Sequence, residues 1–155
     1  MRSILPAVLM IATGAPAKPP PGAASCRTSP MVQDSAPHDS NADPVVGNWY
    51  RNADRTIWAG FLPADGWQAG RKVHSGKGAV SGNKTYWVRP RGTPLQITGR
   101  RLDEPAPPLE AHVPGCYSTG FQIVALHFPT EGCWQVNARS GDSELQFVTR
   151  VRPPP

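Results

Sequence analysis

No stretch of this chain keeps an apolar stripe at helical spacing through three turns, and 19 prolines and 15 glycines interrupt its 155 residues. Long helices are excluded, because proline removes a helical donor and clashes with the preceding turn. Cysteine is scarce, with three in the whole chain, and neither C-x-x-C nor H-x-x-x-H occurs. The close ligand pairs of zinc sites are therefore missing. The apolar run from Ile4 to Ala12 is too short to span a bilayer as a mature helix. From Arg71 to Leu102 there is no acidic residue at all, in a chain of net charge +5.

What is present is period two. Phe121 and Ile123 lie two apart, Pro129 and Gly132 mark a break, and Trp134 and Val136 resume the alternation. A turn at Ser140-Gly141-Asp142 leads to Leu145, Phe147, Thr149 and Val151 on one parity, as in a closing strand with one buried face. Upstream, Thr56–Leu62, Arg71–His74, Thr85–Arg89, Leu95–Gly99 and Leu109–Val113 read as further strands between Gly/Pro turns. The spacing predicts an all-β fold of about seven or eight strands over residues 46–152, a size at which one antiparallel sandwich is self-sufficient.

The order F-Q-I-V-A-L-H-F-P-T-E-G-C-W-Q-V resembles the end of an immunoglobulin-like domain, where an L-x-I-x-x-V strand leads into G-x-Y-x-C. Phe121, Ile123, Leu126, Gly132, Trp134 and Val136 occupy those places, with the Tyr and the Cys replaced. The resemblance implies an immunoglobulin-like β-sandwich without its usual inter-sheet disulfide. It also implies that Trp134 stands where the corner tyrosine hydrogen-bonds back to the main chain, its indole N–H serving as donor. W-V-R-P-R-G resembles the third strand of antibody variable domains, which would make Trp87 the core tryptophan. T-I-W-A-G-F-L-P-A-D-G, L-Q-I-T-G-R-R-L-D and the corner segment together resemble an uncharacterised bacterial family of small exported proteins. That family brings an expectation of location and fold, and no activity.

Met1-Arg2-Ser3, the apolar run and the small residues after it read as an export signal over 1–25. Ala15-Pro16-Ala17 offers an A-x-A cleavage site, while Ala23-Ala24-Ser25-Cys26 resembles a lipobox, with Cys26 as candidate lipid anchor and point of membrane attachment. Residues 26–45, rich in Pro, Ala, Ser and Asp, are expected to be a disordered tether. The expected location is exported: periplasmic, cell-surface lipoprotein or secreted. Cys116 and Cys133 then remain as a pair that an oxidising compartment would bridge. A straight strand over 119–128 would hold them about 25–30 Å apart, against a Cα separation limit of about 7 Å for a disulfide. The corner and this disulfide compete.

Arg71, Lys72, Lys77, Lys84, Arg89, Arg91, Arg100 and Arg101 form an unbroken basic block, a candidate surface for an anionic polymer or an acidic envelope protein. It has no base-stacking motif, and no nucleic acid is expected. No cofactor or metal set is read from His38, His74, His112 and His127, which are far apart in sequence. Ser81-Gly82-Asn83-Lys84 matches S-x-x-K, but that chemistry needs Ser and Lys one helical turn apart, and Gly-Asn forms turns. Asn83-Lys84-Thr85 is a glycosylation sequon for a eukaryotic secretory route. Trp67, after a Gly turn, is a candidate exposed platform for a sugar or a partner. The function expected is a non-catalytic exported binding module of the cell envelope. The alternatives are a small exported enzyme using Cys133 or a histidine, and an accessory docked by its basic block.

Overall fold

The computed structural model describes residues 26–37, 46–61, 66–75, 78–115 and 118–154. Eleven strands follow in chain order: β1 (Val32–Ser35), β2 (Val46–Arg51), β3 (Trp58–Phe61), β4 (Lys72–Ser75), β5 (Gly78–Ser81), β6 (Asn83–Val88), β7 (Gln96–Arg101), β8 (Glu110–His112), β9 (Phe121–His127), β10 (Gly132–Ser140) and β11 (Ser143–Val151). There is no helix among the described residues. β1-β2-β3-β6-β9-β8 form a six-stranded sheet and β11-β10-β7 a three-stranded one, while β4 and β5 make a separate hairpin. All strand pairings are antiparallel.

Lettering β3, β6, β7, β8, β9, β10 and β11 as A to G turns the two sheets into A-B-E-D and C-F-G, the constant-type immunoglobulin arrangement. β1 and β2 extend the first sheet past strand A, and the β4–β5 hairpin is inserted between A and B. The expected all-β sandwich is the observed fold, larger than seven or eight strands by these additions.

Alternation builds the core between the sheets. Trp134, Val136 and Ala138 of β10 and Leu145, Phe147 and Val151 of β11 face Trp87 of β6 and Val124 and Leu126 of β9, all buried. Tyr50 of β2 stacks on Phe147 with ring centroids 4.0 Å apart. Trp67 is only 3% exposed and packs edge-on against Phe128 at 5.4 Å; it is a core residue and not a platform. Trp87 is fully buried, as its resemblance implied, but it lies on the second strand of the frame instead of the third. Its indole donates to the Thr85 hydroxyl at 2.8 Å.

The corner carries the chain from one sheet to the other. β9 ends in the six-stranded sheet at His127, and β10 opens in the three-stranded sheet at Gly132. Gly132 has φ 129°, a conformation that requires glycine there, and a Cβ would also meet the Arg101 guanidinium. Trp134 is fully buried, and its indole N–H donates to the Thr130 carbonyl at 3.0 Å. This is the corner tyrosine's bond, made by tryptophan.

The tether reading fails for residues 26–37. β1 pairs with β2 from Val32↔Trp49 to Ser35↔Val46, and Arg51 reaches Asp34 at 3.9 Å. Just before β1, the Ser29 N–H donates to the Val148 carbonyl at 2.8 Å, and Val148 N–H donates to the Ser29 hydroxyl at 2.9 Å. The segment is thus a strap running from the free edge of β11 to the edge of the larger sheet. Composition could not show this, because the strap is ordered by main-chain bonds to strands distant in sequence.

Candidate functional site

The strap's first described residue decides the cysteine question. Cys26 and Cys133 are joined by a disulfide with Cα atoms 5.5 Å apart. The expected Cys116–Cys133 bridge is therefore corrected, since the Cys133 sulfur is already bonded; Cys116 itself lies outside the described residues. A sulfur in a disulfide carries no thioether, so Cys26 as bridged here is not a lipid anchor. Cys133 lies opposite Trp134 on β10, on the side away from the core, and the strap covers it to 4% exposure. A bridged sulfur is no thiolate, which removes Cys133 as a nucleophile.

The basic block disperses once folded. Arg89, just past the end of β6, is 3% exposed, donating to Gln122 Oε1 at 3.0 Å and to the Pro90 carbonyl at 3.0 Å. Arg101 bonds the Asp103 carboxylate at 2.7 Å, Glu104 at 3.2 Å and the Thr130 hydroxyl at 3.2 Å. Burial pushes the Asp103 carboxyl upward, yet the bonds from Arg101 and from the Cys133 and Asp103 N–H groups outweigh it, leaving its pKa below the ordinary value. Arg71 is half-buried, with a bond to Gln68 Oε1 at 3.0 Å. Lys84 lies exposed on the outer face of the six-stranded sheet, Arg91 is exposed in the turn after β6, and Arg100 is exposed on the outer face of the other sheet. Lys72 belongs to the β4–β5 hairpin, and Lys77 lies outside the described residues. The single basic surface expected from the sequence is therefore not formed by the side chains described.

Other motifs resolve in the same way. Ser81 ends β5 and Lys84 belongs to β6, so S-x-x-K spans a strand-to-strand turn. Asn83 of the sequon is fully buried, accepting from Gln68 N–H at 2.9 Å and donating to the Gln68 and Leu126 carbonyls at 2.9 and 3.1 Å. An amide so committed pins the 66–70 segment to the sandwich and offers nothing to a glycosyl donor. His127 ends β9 half-buried, its Nδ1 without a hydrogen-bond partner among the described residues. His112 is exposed on β8, His74 lies in β4 and His38 is outside the described residues. Among the described residues, no three His, Cys, Asp or Glu side chains are placed to hold a metal ion.

The arrangement that does gather polar groups is the outer face of the three-stranded sheet. Where Trp134, Val136 and Ala138 of β10 face inward, Asn137 and Arg139 face out; the same alternation turns out Gln96 and Thr98 of β7 and Glu144 and Gln146 of β11. Register sets Thr98, Asn137 and Gln146 in one row and Gln96, Arg139 and Glu144 in the next. Together they line an open trough of about 340 Å³. It extends about 10 Å across its three strands.

Its electrostatics are balanced, because Arg139 Nε lies 3.7 Å from Glu144 Oε1. At the strap end Arg100 donates to Gln135 Oε1 at 3.2 Å, and Gln135 donates to Asn137 Oδ1 at 3.3 Å. Among the described residues, the Gln96 and Gln146 amides and the Thr98 hydroxyl make no hydrogen bond. Such groups can donate and accept toward a neutral polar ligand. Sequence reasoning missed this face. The sequence carried no distinguishing signal for it, because Gln, Thr and Asn at outward alternates become neighbours only through the register of β7, β10 and β11.

No family model matches the chain, and no curated protein or solved structure shows significant similarity to it.

Proposed function

We propose that this protein is a non-catalytic exported binding module of the cell envelope, whose ligand is a neutral polar polymer held on the outer face of the three-stranded sheet. The observation that carries the reading is the row of Thr98, Asn137 and Gln146 beside Gln96, with amide and hydroxyl capacity left over and local charge cancelled by Arg139–Glu144. A protein partner would call for aromatic or Arg anchors in a desolvated centre. This trough has no aromatic lining, and its one arginine, Arg139, is exposed and paired with Glu144. Hydroxyl and amide groups of a neutral polymer match it in kind, since both donate and accept.

Export is supported by the Cys26–Cys133 bridge, because structural disulfides persist mainly in oxidising compartments. The basic, apolar and small-residue sequence at Met1–Ala17 supports it as well.

Site-specific photocrosslinking in the native envelope tests the site. A photoreactive residue at Thr98 should capture polymer-bearing adducts, whereas one at Lys84, on the outer face of the opposite sheet, should not. Adducts from Lys84 alone would overturn the assignment.

A further inference from the structure

We infer that Cys26 is a structural cysteine kept inside the mature chain, and that export removes the signal by cleavage between Ala17 and Lys18. The inference rests on the export reading above. One sulfur has two exclusive fates. As an anchor, Cys26 would become the first residue of the mature protein with its Sγ in a thioether; here that Sγ is bonded to Cys133, with Cα atoms 5.5 Å apart.

The surroundings favour the bridge independently of the bond itself. Three residues on, Ser29 is fixed to both main-chain groups of Val148. Met31 packs against the core, and β1 pairs with β2. A segment held at these points delivers Cys26 to Cys133, which is itself 4% exposed. Acyl chains on that sulfur would have to emerge from under the strap, against a buried strand residue. Both processing signals in the sequence leave residues 26–37 whole, but the one ending at Cys26 requires the sulfur that the bridge to Cys133 occupies, while Ala15-Pro16-Ala17 does not.

The chemistry closes without other participants. Water adds across the Ala17–Lys18 peptide bond, giving a carboxylate on the released signal and a new amino terminus on Lys18. The Cys26 and Cys133 thiols lose two protons and two electrons to a disulfide-bearing oxidoreductase of the exporting compartment, which leaves as a dithiol.

The full chain, expressed in an exporting bacterial host, gives the test by intact mass, N-terminal sequencing and detergent phase partition. Lys18 should be the first residue, a 26–133 disulfide-linked peptide should appear in the digest, and the protein should stay in the aqueous phase. Cys26→Ser should still be processed and exported, with Cys133 newly open to maleimide, while Ala17→Leu should accumulate as precursor. An acylated amino terminus at Cys26, with precursor accumulating in Cys26→Ser, would overturn the inference and leave export standing. A terminus elsewhere upstream of Cys26 would overturn the cleavage position. Full-length chain confined to the cytoplasm would overturn the export reading itself.

Discussion

At Trp134 one side chain does two jobs that could be separated by mutation. Its ring fills the core, edge-on to Phe128 at 5.4 Å, and its N–H ties the start of β10 back to Thr130. Trp134→Phe keeps an aromatic ring and leaves the Thr130 carbonyl without that donor, at a cost of about 1–3 kcal/mol. In urea the midpoint should fall with an unchanged m-value, which marks lost stability without a changed denatured state. Trp134→Tyr should lose less, because a phenolic O–H can donate where the immunoglobulin pattern itself places tyrosine. Equal losses in the two variants would mean that ring volume, and not the bond, fixes the corner. This residue's role was legible in advance because its cues are local: period two, a Pro/Gly break and a fixed offset from Gly132. The six polar residues of the trough were not, since an outward Gln or Thr looks like any solvated alternate until register shows which strands lie side by side.

Among the elements, the strap and β11 depend on each other. β11 is the edge of its sheet, and an exposed edge offers unpaired main-chain groups to other chains. Ser29 satisfies both such groups of Val148, and Trp67 and Ala69 do the same for Arg152. The disulfide holds the strap in place across a sequence separation of 107 residues. Cys26→Ser with Cys133→Ser should therefore destabilise the domain by about 2–5 kcal/mol. Hydrogen exchange gives the sharper reading: the Val148 amide, which points to the strap, should lose protection. Phe147 and Thr149, whose amides alternate toward β10, should keep theirs. Uniform loss along β11 would mean that the bridge supports the whole sheet and not its edge. The strap was invisible in the sequence for the same physical reason, since its order derives from a cysteine and a strand edge more than a hundred residues away. The corner–disulfide conflict dissolves with it. Cys133 faces away from the core as the corner requires, and its partner arrives from the N-terminal side.

For the molecule as a whole, the issue is whether a net charge of +5 directs binding. In sequence the cations stand together, but folding sends Lys84 and Arg100 to opposite outer faces, buries Arg89 and pairs Arg101 with Asp103 and Glu104. Among the side chains that line the trough Arg139 is answered by Glu144, while Arg100 and Arg150 stand beyond it on the same outer face. Retention of the protein on isolated envelope should accordingly change by less than about twofold between about 0.05 and 0.5 M salt, because hydrogen bonds to a neutral polymer are only weakly screened. Thr98→Val with Gln146→Leu removes the hydroxyl and the amide that the trough's two outer strands contribute to its first row, while keeping similar side-chain shape and the same net charge. That variant should lose most of its retention at both salt concentrations, whereas Lys84→Gln should behave as the parent. A steep fall with salt, shared by Lys84→Gln at low salt, would instead assign binding to dispersed charge and remove the trough from the account.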